Sequence, residues 1–86
     1  MERENFKEQL GQFLHDIRMN RGFSKAELSK MTGVTVRAID YWESGQRNVL
    51  LEHLIQALIA MGFEVEIAIK EKGGTASDKS GYKIRY

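Results

Sequence analysis

Residues 36–43, Val-Arg-Ala-Ile-Asp-Tyr-Trp-Glu, contain the side chains with the widest scope for chemistry. Ile39 and Trp42 recur at helical spacing and predict an inward apolar stripe. Four residues are left on the opposite face of such a helix: Val36, Arg37, Asp40 and Tyr41. A short helix held by its neighbours, with a polar outer face, suits insertion into a DNA major groove.

Each of these four side chains has a chemistry that suits a nucleic acid. Arg37 can pair with O6 and N7 of guanine, and Tyr41 can contact the groove or a phosphate. Val36 can touch a thymine methyl group or simply fill a semi-exposed position. Asp40 would repel phosphate unless it accepts a hydrogen bond from cytosine N4 or holds Arg37 in position. We favour the orienting role for Asp40.

The residues before this helix predict a second helix and a tight turn that hold it in place. Ser24 and Glu27 form an S-x-x-E capping box that opens the preceding helix. Gly33 tolerates positive φ and ends that helix. Thr35 can cap the next one. The segment therefore predicts two short helices joined by a turn.

Two further helices are predicted on either side of this pair. Apolar residues at helical spacing indicate an amphipathic helix over residues 5–20, ended by Gly22: Phe6, Leu10, Phe13, Leu14 and Ile17. A loop is expected over residues 44–49. A later helix, stopped by Gly62, is indicated by a second apolar stripe: Leu51, Leu54, Ile55 and Leu58.

Over roughly residues 10–62 the chain resembles the phage-repressor (Cro/C1, XRE-type) family. The motifs that carry the resemblance are Arg-Gly-Phe-Ser at 21–24, Glu-Leu-Ser at 27–29, Gly-Val-Thr at 33–35 and Trp-Glu-Ser-Gly at 42–45. The resemblance implies a mainly α fold, a four-helix lambda-repressor-like helix-turn-helix domain. It also implies binding to double-stranded DNA through the second helix of the motif.

The resemblance assigns further contacts to the DNA backbone. Lys25 stands where the family typically carries Gln, so a point charge replaces a bidentate amide and phosphate contact is expected. Thr35 is a phosphate donor in the family as well as a cap. Arg47 and Asn48 lie in the loop that, in the family, runs along the DNA backbone, and phosphate contact is expected there too.

Arg18 and Glu43 occupy the positions of a family ion pair that links the first helix to the end of the recognition helix. The role implied is structural, because the pair sets the angle between the two helices. Removing one partner would leave a partly buried charge unpaired.

The charge of the chain is unevenly distributed. The 86 residues have a net charge of +1, but residues 1–69 carry 8 Lys or Arg against 10 Asp or Glu, a net of −2. Residues 70–86 carry 5 against 2, a net of +3. Bulk charge therefore cannot attract DNA to the body of the protein, so local placement of basic residues and two subunits acting together are expected.

Composition also bounds the location and class of the protein. There is no cysteine, so disulfides and thiolate metal sites are excluded. The charged N-terminus is unlike a signal peptide, and no apolar run is long enough to span a bilayer. We expect a cytoplasmic protein with no membrane contact.

After Gly62 the hydrophobic period changes to two, which predicts a strand in which Val65, Ile67 and Ile69 share one face. A lone strand leaves backbone groups unpaired. Its partner is either the same strand of a second subunit or residues 82–86 folded back as a hairpin. We favour pairing across a homodimer, because residues 73–81 have the composition of a flexible linker. The predicted organisation is a domain over 1–72 and a tail over 73–86.

This arrangement, a helix-turn-helix followed by a dimerising strand, resembles antitoxins of HipB type and, less closely, HigA type. Those proteins repress their own operon and bind a toxin. Three apolar residues on the basic tail could anchor such a partner: Tyr82, Ile84 and Tyr86. The alternatives are a stand-alone phage or mobile-element regulator without a toxin, and a partner-binding protein with only residual DNA binding.

Catalysis and metal binding are not expected. His15 and His53 are isolated in the sequence, with no second His or Cys at ligand spacing. No phosphate loop and no Ser/His/Asp arrangement can be recognised. The sequence therefore predicts neither an enzyme nor a cofactor.

Overall fold

The computed structural model describes residues 5–71 and 81–86, and these form four helices followed by a small antiparallel sheet. The elements are α1 (Phe6–Arg21), α2 (Lys25–Thr32), α3 (Val36–Glu43), α4 (Leu51–Ala60), β1 (Glu66–Lys70) and β2 (Gly81–Arg85). The predicted mainly α, four-helix architecture is confirmed.

Local signals set the helix ends as predicted. Gly22 and Gly33 follow α1 and α2 with φ of 77° and 78°, a left-handed conformation that favours glycine. The Ser24 hydroxyl accepts from the Glu27 N–H at 3.0 Å, and the Glu27 carboxylate accepts from the Ser24 N–H at 2.9 Å. The Thr35 hydroxyl accepts from the Ala38 N–H at 3.1 Å. In both helices of the motif, a side-chain cap therefore accepts a hydrogen bond from a backbone N–H of the first turn.

All four helices contribute to one core. Its buried members are Leu14, Leu28, Ile39, Trp42, Ala57 and Met61. The predicted stripes were partly wrong, because Phe6, Phe13 and Leu51 are exposed. The buried residues of α1 are Gly11, Leu14 and Arg18, of which Leu14 belongs to the predicted stripe.

Gly11 allows α1 to pack directly against the end of α3. Its backbone lies against the end of α3, so close that a β-carbon there would meet the Trp42 carbonyl oxygen at 2.1 Å and that of Glu43 at 3.1 Å. Only a residue without a side chain fits between the two helices at this position.

The C-terminal strand has an intrachain partner. β1 and β2 pair antiparallel, with Ile67 opposite Ile84 and Ile69 opposite Tyr82. Residues 82–86 thus adopt the hairpin that was the alternative to pairing across a homodimer, and their alternating apolar residues complement those of β1. Residues 72–80, where the predicted domain boundary and most of the predicted linker fall, lie outside the described residues. Pairing of β1 across a homodimer stays a prediction, which now concerns the other edge of β1.

The hairpin has two different faces. Opposed residues of paired strands share a face, so one face carries the residues assigned separately to dimerisation and to the tail: Val65, Ile67, Ile69, Tyr82, Ile84 and Tyr86. Ile69, Tyr82, Ile84 and Tyr86 are 56–73% exposed. The other face is polar, and Arg85 Nε lies 3.5 Å from Glu66 Oε1.

Candidate nucleic-acid interface

The outer face of α3 is separated cleanly from the core. Ile39 and Trp42 are buried, whereas Val36, Arg37 and Asp40 are exposed. The Thr35 cap and the packing of Trp42 fix the backbone of this helix, so the positions from which its outer side chains project are also fixed. The predicted division of α3 into a core face and a solvent face is present in the structure.

Asp40 does not hold Arg37, contrary to the expectation from sequence. Its Oδ1 lies 2.6 Å from Nζ of Lys25 at the start of α2, and both side chains are partly exposed. The two residues are close because the turn places the first residue of α2 beside the middle of α3. Lys25 is therefore paired with a carboxylate in the unbound protein, and that pair must be exchanged if Lys25 is to reach a phosphate.

Tyr41 lies between two arginines. The guanidinium carbon of Arg47 is 4.4 Å from the centre of the Tyr41 ring, and that of Arg37 is 6.0 Å away. The Tyr41 carbonyl also accepts from the backbone N–H groups of Gln46 and Arg47, at 2.9 and 3.3 Å. The ring and the backbone thus hold the loop after α3 so that both cations lie near one aromatic side chain.

The remaining predicted contacts lie around this cluster. Thr35 is exposed and uses its oxygen as the α3 cap. Asn48 is exposed in the loop between α3 and α4. Both residues are therefore accessible from solvent.

Arg18 and Glu43 join α1 to the end of α3. Arg18 Nε donates to Glu43 Oε2 at 2.7 Å and Nη2 donates to Oε1 at 2.9 Å, while Nη1 donates to the Phe23 carbonyl at 2.8 Å. Both charged side chains are 6% exposed. Such a bidentate pair fixes direction as well as distance, and here it orients α3 relative to α1.

The electrostatics of this pair favour the charged forms. Burial by itself would raise the pKa of Glu43, but hydrogen bonds from Arg18 and His15 stabilise the carboxylate and leave its pKa below the ordinary value. The hydrogen bond to Glu43 raises the pKa of Arg18. Both groups therefore stay charged near neutral pH.

A family model of the helix-turn-helix, in its Cro/C1 (XRE) form, matches residues 14–67, which include α2, the turn and α3. The chain belongs to this helix-turn-helix family. Its members are sequence-specific DNA-binding transcriptional regulators rather than enzymes. No curated protein matches the chain significantly in sequence.

The sequence-based assignments for this helix-turn-helix protein missed His15. Its Nδ1 lies 2.9 Å from Oε1 of Glu43, which makes it a third member of the Arg18–Glu43 cluster when Nδ1 carries the proton. The available signal was spacing, because residues three apart on a helix share a face and His15 precedes Arg18 by three.

A cluster of metal ligands and a membrane-spanning helix are both absent from residues 5–71 and 81–86. No three His, Asp or Glu side chains there come together in a way that could hold a metal ion. None of the helices there is both long and apolar enough to span a membrane.

Proposed function

We propose that this helix-turn-helix protein is a homodimeric repressor that recognises a palindromic operator with the outer face of α3. The observation that carries the proposal is the exposure of Val36, Arg37 and Asp40 on a helix whose other face, Ile39 and Trp42, is buried. Residues near the start of a recognition helix reach base edges in this class of proteins, and Arg37 is the second residue of α3.

Arg37 and Arg47 have different tasks in this proposal. Arg37 is the base reader, because it stands in the first turn of α3 and can pair with guanine through two hydrogen bonds. Arg47 is a phosphate clamp, because it lies in the loop beyond α3 and packs on Tyr41. Lys25, Thr35 and Asn48 supply further contacts to the DNA backbone.

Charge and geometry support a dimer. Residues 1–69 have a net charge of −2, with 8 basic and 10 acidic side chains, so one subunit offers little general attraction to DNA. Two recognition helices related by a two-fold axis would read half-sites about 34–36 Å apart on one side of the duplex.

The test compares two arginine variants on a selected operator and on random DNA, by fluorescence anisotropy at several salt concentrations. Arg37→Ala should weaken operator binding by about 1–3 kcal/mol and relax preference at one base position. Arg47→Ala should weaken both DNAs alike and lower the salt slope by about one. Lys30→Ala, which removes the same charge from the last turn of α2, is the matched control. Equal losses on both DNAs for both arginine variants would contradict the division of tasks.

The uncovered apolar face of the hairpin supports a toxin as a protein partner, with Tyr82, Ile84 and Tyr86 as its anchors. An antitoxin would then repress its own operon and neutralise the product of the neighbouring gene. Co-expression with that product should yield a complex, and Ile84→Ser should weaken it while operator binding is kept. If the neighbouring product does not bind, a stand-alone regulator is the better description.

A further inference from the structure

Within residues 5–71 and 81–86 the sheet consists of β1 and β2 alone, so each strand has one free backbone edge there, and the residues of the two edges differ. The Tyr86 N–H donates to the Val65 carbonyl at 2.9 Å, which makes these two a hydrogen-bonded pair. Hydrogen-bonded and non-bonded pairs alternate along antiparallel strands. The outward backbone groups of β1 therefore belong to Glu66, Ala68 and Lys70, and those of β2 belong to Gly81, Lys83 and Arg85.

The free edge of β2 is unsuited to pairing with its own copy. Full antiparallel overlap of two β2 strands is centred on Lys83 and would place that residue directly opposite itself. Like charges that oppose each other across strands are destabilising, and an edge lysine is a common protection against edge-to-edge pairing.

The free edge of β1 is complementary to itself. Full overlap of two β1 strands is centred on Ala68, which sets Glu66 opposite Lys70 of the second copy, and Lys70 opposite its Glu66. Opposite charges at such positions stabilise a sheet. Registers centred on Glu66 or on Lys70 would oppose like charges. Registers centred on Ile67 or on Ile69 would place Ala68 opposite Glu66 or opposite Lys70, so the Glu66–Lys70 pairs would be lost.

We propose that β1 pairs antiparallel with β1 of a second copy in the register centred on Ala68. The result is one four-stranded sheet of order β2–β1–β1–β2, in which Ile67 lies beside Ile69 of the second copy on the apolar face. Such a sheet overcomes the marginal stability of an isolated two-stranded hairpin. The pairing rests on the homodimer of the proposed function and specifies how that dimer is built.

Charge reversal tests the register in the full-length protein by sedimentation equilibrium. Glu66→Lys or Lys70→Glu alone replaces both opposite-charge pairs of the dimer with like-charge pairs and should raise the dimer dissociation constant by about tenfold or more. An equimolar mixture of the two variants should restore association, because each variant then faces the charge it needs.

Lys83→Glu is the matched control, because it makes the same charge change as Lys70→Glu on the β2 edge and should leave association unchanged. The Ala68 amide provides a second measurement. Its hydrogen exchange should be slow in the wild type and in the mixture, and faster in either variant alone. Circular dichroism should show unchanged helix content in every variant, because no helix includes these positions.

The outcomes separate this pairing from the proposed function. If Lys70→Glu dimerises as tightly as the wild type, the pairing is wrong and the homodimer forms through another surface. If the wild type is monomeric at micromolar concentration, both the pairing and the homodimer are wrong. Operator binding by the wild type, measured separately, then decides whether DNA recognition itself remains.

Discussion

Replacing Gly11 with alanine tests the approach of α1 to α3. In an open helix this change stabilises by about 1 kcal/mol, because alanine has the higher helix propensity. Here the new β-carbon would lie 2.1 Å from the Trp42 carbonyl oxygen. Carbon and oxygen in contact stay about 3.3 Å apart, so the two helices must separate by roughly 1 Å.

Because of that separation, Gly11→Ala should destabilise the protein instead of stabilising it. Overpacking of a core costs about 1–3 kcal/mol and occasionally more, and here the displaced backbone also carries Glu43, the partner of Arg18. We expect Gly11→Ala to lower the free energy of unfolding by about 2 kcal/mol in total. For a domain of this size that corresponds to roughly 8–16 °C in Tm.

Urea unfolding followed by fluorescence measures the effect directly, because Trp42 is the single tryptophan and is buried. Gln12→Ala is the control, since Gln12 is the exposed neighbour in the same helix and should change stability by less than about 0.5 kcal/mol. A Gly11→Ala protein at least as stable as the wild type would refute the close approach of the two helices.

Three further predictions concern the motif. Glu43→Gln should cost about 3 kcal/mol or more by leaving Arg18 buried without its counter-charge. Because folding lowers the pKa of Glu43, its contribution to stability is present above the ordinary carboxyl pKa of the unfolded chain and is lost as the pH falls through the lower folded pKa. The stability of Glu43→Gln should therefore fall less than that of the wild type between pH 5 and pH 3, as measured by urea titrations. Ser24→Ala should cost about 1 kcal/mol through loss of the α2 cap, seen as a lower thermal midpoint. Asp40→Asn should release Lys25 for phosphate contact and tighten binding to all DNA sequences with a steeper salt slope; unchanged affinity for random DNA would contradict this.

Much of the helical fold could be predicted because its signals are local. The capping box at Ser24 and the glycines at 22 and 33 act within one turn of the chain. Each determines a helix end without reference to the rest of the molecule. The assignment of α3 to a core face and an outer face likewise needed only the spacing of Ile39 and Trp42.

The features that were missed depend on contacts between distant residues. Position 11 requires glycine because of a carbonyl group 31 residues later in the chain. The sequence around a helical glycine does not indicate which distant residue packs against it. The pairing of Asp40 with Lys25 rather than Arg37 depends on how the turn sets α2 against α3. The hairpin depends on pairing between strands that residues 72–80 separate in the sequence. The composition of that segment is typical of a flexible linker and therefore gave no indication of the pairing.

The two faces of α3 divide recognition from folding, and this has a consequence for how the protein can change over time. Val36, Arg37 and Asp40 form no part of the buried core, so substitutions there should alter stability by less than about 0.5 kcal/mol. A duplicated copy could therefore acquire a new operator without first gaining stability. Under the proposed strand pairing, however, two copies with unaltered β1 edges would form mixed dimers. To function independently of the parent protein, the duplicated copy would therefore also need a change at Glu66 or Lys70.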